Sequence, residues 1–144
     1  MRKNAWLAIA GVLLASSFGF TQSGEITNET DFDAAMKNVG KNFGAVRSAM
    51  EAREPEAVAT GAENLKMIFG QVEAFFTARE LEHGLTVAGQ ALQAATDIKS
   101  AIDNRAFGEL ADARDRLGAT CSSCHTEYRE QTEDNGYRFK AGVL

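Results

Sequence analysis

Hydrophobic residues recur at helical spacing along the chain after residue 23. In the first such stretch the apolar positions are separated by alternating steps of four and three residues, which places them on one face of an α-helix. We place this helix, helix A, at about 31 to 52 and expect Thr30 to be its N-cap. Its apolar face consists of Phe32, Met36, Val39, Phe43, Val46 and Met50.

Three further stretches have the same periodicity. Pro55 opens helix B at about 55 to 79, because proline is well tolerated in a first helical turn. Gly84 and Thr86 interrupt the helical pattern, and we place helix C after this interruption, at about 86 to 103. Asp103 or Asn104 is expected to be the N-cap of helix D. The apolar face of helix D consists of Phe107, Leu110, Ala111, Arg114, Leu117, Cys121, Cys124 and Tyr128. Four amphipathic helices with short connections predict an all-α fold, an antiparallel four-helix bundle.

The two ends of the chain differ from this helical pattern. Residues 133 to 144 are assigned to a short tail, in which the turn dipeptide Asn135-Gly136 precedes an alternating segment, so we expect either an extended arm or a disordered end. At the other end, Arg2 and Lys3 precede an apolar run, and small and polar residues follow up to residue 23. This order is typical of a secretory signal peptide.

The apolar run of the leader is about ten residues, against the roughly 20 needed to cross a bilayer as a helix. We therefore interpret residues 1–23 as a cleaved signal peptide and residues 24–144 as the mature domain, exported to the periplasm with no stable membrane span; a retained anchor is the alternative. The full chain has 15 Lys and Arg against 20 Asp and Glu. Loss of Arg2 and Lys3 leaves 13 minus 20, or −7, which argues against nucleic acid as a partner.

The segment Cys121-Ser122-Ser123-Cys124-His125 has the pattern of covalent haem c attachment. The two thiols can add to the haem vinyl groups as thioethers, and the adjacent imidazole can reach the iron from one side. On a helix these three side chains are separated by three and four residues and share one face. All three can therefore meet one flat macrocycle.

Three other kinds of site could contain the same residues: a disulfide, a redox C-x-x-C motif and a structural zinc site. A disulfide between cysteines three residues apart on a helix would close almost no loop and constrain little. A redox C-x-x-C usually lies at a strand-to-helix junction of an α/β fold, for which this chain has no strand pattern. Structural zinc needs four ligands, and apart from methionine only His83 remains as a nitrogen or sulfur donor. The pattern therefore favours one covalently bound haem c.

With this motif and this order of helices, the chain resembles the class II cytochromes c, the cytochrome c′ group. Members of that family are exported four-helix bundles with the haem motif near the C-terminus. The end of helix D, from Gly118 to Arg129, is similar to that family's ending in both motif and placement. The helix A segment from Met36 to Gly44 is similar to the family's first helix. One departure is the short connection between helices B and C, where the family's usual members have a longer one.

The resemblance implies that His125 is the proximal iron ligand and that Met36 faces the distal side. Members with methionine there can be six-coordinate and low-spin, whereas members with an apolar distal residue are five-coordinate. A thioether ligand raises the potential and suits electron transfer. The alternative is that Met36 is an ordinary core residue. Met50 and Met67 are weaker candidates and are expected to pack or to face solvent.

Three more residues are candidates for the side of the haem. Arg129, one turn after His125, can lie beside the haem or meet a propionate, or else be a solvated cation at a helix C-terminus. Tyr128 is expected to pack on the haem edge with its hydroxyl in water, and His83 is expected at the surface. We expect Phe43, Phe69 and Phe75 to line the haem pocket or to pack in the core.

The resulting hypothesis is an exported monohaem c-type cytochrome that carries single electrons between redox partner proteins and is not an enzyme. The alternative is a five-coordinate cytochrome c′ that binds nitric oxide or carbon monoxide at an open distal site. A peroxidase would need a polar distal pair, and helix A offers no distal histidine. The acidic surface favours partners with a basic patch. A homodimer is possible through an exposed apolar strip of Met67 with Ile68 or Phe76.

Overall fold

The structure, a computed structural model, describes residues 24–144, so the predicted signal peptide lies outside the described residues. The described part is mostly helical, and its helices are α1 Glu29–Ala52, α2 Pro55–Thr77, α3 Glu82–Asp103 and α4 Leu110–Tyr128. A single 3₁₀ turn, Phe107–Glu109, precedes α4, and two three-residue strands, β1 Arg129–Gln131 and β2 Tyr137–Phe139, follow it. The all-α class and the four helices are confirmed. None of the helices in residues 24–144 is long and apolar enough to cross a membrane.

Helix α1 begins earlier than the sequence predicts. The N-cap is Asn28, whose side-chain oxygen accepts a hydrogen bond from the Asp31 amide at 3.0 Å, so the prediction of Thr30 is wrong. The Asp31 carboxylate accepts hydrogen bonds from the amide and the hydroxyl of Thr27, which lower the pKa of Asp31. These reciprocal bonds satisfy first-turn donors and move the helix start to Glu29.

Helix α2 begins at Pro55, where it was predicted, whereas α3 begins four residues before its predicted start. Glu80 adopts a left-handed backbone conformation, with φ of 56°, and reverses the chain within a short connection. Gly84 therefore lies inside the first turn of α3 rather than before it. It is buried beneath the ring of Phe76, and a Cβ added at Gly84 would overlap that ring.

The start of α4 also differs from the prediction. Neither Asp103 nor Asn104 caps it: Asn104 ends α3, Arg105 adopts a φ of 57°, and the 3₁₀ turn intervenes. Phe107, which is 53% exposed, lies in the 3₁₀ turn before α4, and Ala111 is exposed on α4, so neither belongs to the buried face, contrary to prediction. The buried residues of α4 are Leu110, Ala113, Leu117, Thr120 and Tyr128.

Consecutive helices pack against one another, α1 on α2, α2 on α3 and α3 on α4, whereas α1 and α4 are not a closely packed pair. Phe32 near the start of α1 contacts Phe75 near the end of α2, with ring centroids 4.8 Å apart, and Asn42 accepts a hydrogen bond from Asn64 at 3.0 Å. The largest fully buried side chains are Phe75, Phe76, Leu65, Ile98, Leu117, Val46 and Val58. Of these side chains, Val46 belongs to the apolar face predicted for helix A and Leu117 to the face predicted for helix D.

Two further expectations about apolar residues are resolved. Residues 137 to 139, for which an extended arm was one alternative, form a strand, and β1 and β2 pair antiparallel with Arg129 opposite Phe139. The apolar strip predicted for a homodimer is wrong for two of its members, because Ile68 and Phe76 are buried within the chain. Met67 is 52% exposed and stands alone.

Candidate functional site

A cavity of about 490 Å³ lies among the four helices and the C-terminal hairpin, which we define as β1, β2 and the turn between them. Ligand sites in proteins commonly have volumes of roughly 300–1,000 Å³, so this cavity is large enough for a cofactor. Its walls are mostly apolar, and residues of both α1 and α4, which do not pack closely on each other, line it. All seven residues predicted for the site line it: Met36, Phe43, Cys121, Cys124, His125, Tyr128 and Arg129.

The cysteines of the motif lie on α4, both partly buried and both as free thiols. Burial raises the pKa of Cys124 to about 11, helped by the neighbouring Cys121, and burial also raises the pKa of Cys121. Both are therefore neutral thiols at pH 7. The helix register turns both side chains toward the cavity, because three residues are close to one helical turn.

His125 is the third member of this face and is also partly buried. Burial lowers the pKa of its imidazole, and the positive charge of Arg129 lowers it further. A neutral imidazole keeps a nitrogen lone pair available to a metal. Within residues 24–144, no group of three or more His, Cys, Asp and Glu side chains is arranged to hold a metal ion by itself.

Met36 enters the cavity from α1, a different helix from the one that carries the cysteines and His125. Met50 is partly buried but lies outside the cavity lining, and Met67 is mostly exposed. Among the methionines in the described residues, Met36 is the one that lines the cavity. Within residues 24–144, the side chain of Met36 is therefore the only methionine side chain at the cavity wall that also carries Cys121, Cys124 and His125.

Phe43 narrows the gap between α1 and α4 at Gly118. A Cβ added at Gly118 would lie 3.6 Å from Cζ of Phe43, which is an ordinary van der Waals distance. A glycine is therefore not required there by space. Phe69, buried, lines the cavity, whereas Phe75 does not and belongs to the core.

Tyr128 lines the cavity as predicted. The prediction that its hydroxyl lies in water is wrong. The side chain is buried, and its hydroxyl oxygen accepts a hydrogen bond from the Gly84 amide at 2.9 Å. Because no side chain caps α3 at its N-terminus, this bond satisfies one of the free first-turn donors from another helix. The Tyr128 ring stacks on Phe76, with centroids 5.4 Å apart. His83, exposed as predicted, has its ring 5.9 Å from that of Tyr128.

The hairpin supplies a wall that the sequence did not predict. Tyr137, Arg138 and Phe139 line the cavity, and the guanidinium of Arg129 lies 3.8 Å from the centroid of the Tyr137 ring. The charged residues Glu29, Asp33 and Lys37 lie on the α1 side. The alternation of Tyr137 and Phe139 was the available signal, but nothing local indicates where such a strand docks.

The chain matches no known protein family, no curated protein and no solved structure. The class of protein is therefore indicated by the geometry of the cavity and its wall. The described residues form four helices around an apolar cavity whose wall carries two thiols and an imidazole on one helix and a thioether on another.

Proposed function

We propose that this chain is an exported monohaem c-type cytochrome, an antiparallel four-helix bundle that carries single electrons between redox partner proteins. The observation that carries the proposal is that Cys121, Cys124 and His125 line the same cavity as Met36. These residues come from helices far apart in sequence. A C-x-x-C-H pattern without a cavity beside it would support haem attachment far less.

The residues around the cavity fit a haem in size and chemistry. Thiols can form thioethers with the two vinyl groups, and the neutral imidazole of His125 offers a nitrogen ligand. The apolar walls would keep water away from the group and so restrict exchange of its ligands. Of the three cations that line the cavity, Lys37 pairs with Asp33 at 2.6 Å and Arg138 pairs with Glu130 at 2.7 Å, so Arg129 is the cation best placed to meet an anionic propionate.

In this proposal the bound iron supplies the one-electron chemistry by cycling between its ferric and ferrous states. Cys121 and Cys124 would hold the group covalently, and His125 of α4 and Met36 of α1 would supply its iron ligands. The proposed protein is not an enzyme. Its sequence contains only two histidines, and since His83 is exposed and outside the cavity lining, no second histidine assists O–O cleavage there.

The test is to produce the chain in an exporting host with haem-attachment machinery and to record absorption spectra, oxidised and reduced, with and without carbon monoxide. A sharp low-spin reduced spectrum that ignores carbon monoxide supports the electron carrier. A broad high-spin spectrum that shifts with carbon monoxide supports the five-coordinate, gas-binding alternative. A colourless protein contradicts both.

The sixth ligand is tested by Met36→Ala, which should convert a low-spin haem into a high-spin or water-ligated one. Met50→Ala is the matched control, because Met50 lies on the same helix outside the cavity lining. The control should keep the wild-type spectrum. An unchanged spectrum in Met36→Ala would exclude Met36 as the ligand.

Covalent attachment is tested by replacing Cys121 and Cys124 with serine. The double variant should lose haem under denaturing electrophoresis, whereas Ser122→Ala, an exposed position inside the motif, should keep it. The mass of the exported wild-type chain should exceed that of the double variant by one haem. The same mass spectrum reports whether residues 1–23 have been removed, and gel filtration reports whether a homodimer forms.

A further inference from the structure

The C-terminal hairpin spans the gap between the two helices that do not pack closely. On the α4 side, the Lys140 amide donates a hydrogen bond to the Tyr128 carbonyl at 2.8 Å, and the Lys140 ammonium donates one to the Thr126 carbonyl at 2.7 Å. These bonds attach the strand to the last turn of α4. The cavity side of the same strand carries Tyr137, Arg138 and Phe139.

On the α1 side, the hairpin is attached through Phe139. Its amide donates a hydrogen bond to a carboxylate oxygen of Glu29 at 2.7 Å. Its ring lies 4.8 Å from the ring of Phe32 and stacks at 6.0 Å on that of Phe75. Phe139 thus joins the start of α1 to the end of α2 and forms part of the cavity wall.

Tyr137 lies at the boundary between the cavity and solvent. It is 51% exposed and also lines the cavity, and the guanidinium of Arg129 lies over its ring. A cation held over an aromatic face stabilises the position of the ring. The Tyr137 ring therefore belongs both to the cavity wall and to the outer surface.

We propose that the hairpin is the specificity-determining wall of the cavity: Phe139 closes it to solvent, and Tyr137, held by Arg129, limits the size of molecules that enter. The inference goes beyond the proposed function, because it concerns access to the cavity whatever occupies it. Small neutral molecules are admitted and bulkier ones are excluded.

The test measures alkylation of Cys121 and Cys124 in the full-length chain produced without haem-attachment machinery. Rates for a small reagent, iodoacetamide, and a bulky one, fluorescein maleimide, are compared at one pH, with helical circular dichroism as the check on folding. Phe139→Ala should raise the rate for the bulky reagent about tenfold, since two ring contacts are lost, and the rate for the small reagent less. Equal rate ratios in wild type and Phe139→Ala would overturn the proposal.

Matched variants separate a size limit from general loosening. Phe107→Ala removes a ring that is mostly exposed and outside the cavity, so its ratio of rates should equal that of wild type. Tyr137→Phe keeps the ring and should also match wild type, whereas Tyr137→Ala should admit the bulky reagent. Glu29→Gln keeps an acceptor for the Phe139 amide, so its ratio of alkylation rates should match that of wild type. Glu29→Ala removes the acceptor, so its ratio should shift toward the bulky reagent. A rise in Phe107→Ala as large as that in Phe139→Ala would also overturn the proposal.

If the haem-free chain lacks helical circular dichroism, the same variants are compared with haem attached, in the Met36→Ala background. The readout is then the binding rate of 4-phenylimidazole relative to imidazole. Phe139→Ala should raise this ratio, and an unchanged ratio overturns the proposal. Failure of the proposed function is seen separately, as a chain that acquires no haem and whose thiols remain free.

Discussion

The interface between α2 and α3 and the gap between α1 and α4 are built from similar amphipathic helices, yet only the first is closed. At the α2–α3 interface the Phe76 ring lies on Gly84, and buried residues outside the cavity lining, such as Ala95 and Ile98, continue the face of α3. At the gap, longer partly buried side chains such as Met36 border a cavity of about 490 Å³. Protein interiors are normally close-packed, so the gap indicates a place for an additional group.

The clearest contrast should come from removing one phenylalanine ring in each region. Phe76 is 0% exposed, so Phe76→Ala should lower the free energy of unfolding by about 3–5 kcal/mol. Phe43→Ala should cost only about 1 kcal/mol in the haem-free chain, because the Phe43 ring is partly buried whereas the Phe76 ring is fully buried. Urea unfolding measures both. Equal losses would show that the cavity region is as tightly packed as the core, and Phe76→Leu serves if the alanine variant does not fold.

Adding one methyl group in each region should give changes of opposite sign. Gly84→Ala should destabilise the fold by about 1–3 kcal/mol, because the new Cβ overlaps the Phe76 ring. Gly118→Ala should stabilise it by about 0.5–1 kcal/mol, because alanine is the better helix former and the Cβ meets Phe43 at an ordinary distance. Thermal unfolding of the two variants checks the signs, and a loss in both would contradict the contrast.

The hydrogen bond that joins the two regions can be removed by itself. Tyr128→Phe keeps the ring stacked on Phe76 but leaves the Gly84 amide without its acceptor, which should cost about 1–2 kcal/mol. Tyr137→Phe removes a hydroxyl from an exposed ring and should change stability by less than about 0.5 kcal/mol. Urea unfolding compares them, and the prediction fails if the two variants lose the same amount.

A smaller effect is expected from pH in the haem-free chain. Burial lowers the folded-state pKa of His125, so the folded state binds its proton less readily than the unfolded state does. The contribution of neutral His125 to the free energy of unfolding is present above the unfolded-state pKa of about 6.5. It is lost as the pH falls through the folded-state pKa of His125. Unfolding between pH 7 and pH 5 should therefore show a steeper loss of stability in wild type than in His125→Gln. Parallel curves would contradict it.

The sequence predicts those parts of this contrast that depend on local pattern. The apolar spacing of α1 and α2 and the proline at the start of α2 are sufficient for those helices, because each feature acts within one or two turns. The start of α3 was misplaced because Gly84 looks like a helix breaker. Its role depends on the Phe76 ring and the Tyr128 hydroxyl, which arrive from other helices.

The candidate site divides in the same way. Cys121, Cys124 and His125 form a contiguous motif, so their common face follows from helix geometry alone. Met36 was predicted from the resemblance of the first helix to a known family, because its position on the apolar face alone is equally compatible with an ordinary core residue. The residues of β2 were missed as cavity lining, because the strand is placed by contacts such as that between Phe139 and Glu29, 110 residues apart.

That long separation has a consequence for the order in which the chain assembles. Docking of Phe139 on Glu29 closes a loop of 110 residues, and the entropic cost of loop closure rises with the logarithm of loop length. Contacts between consecutive helices close much shorter loops, so we expect them to form first and the hairpin to dock last. During folding, the cavity would then exist as an open cleft among assembled helices, and its final sealing would be a separate, later kinetic step.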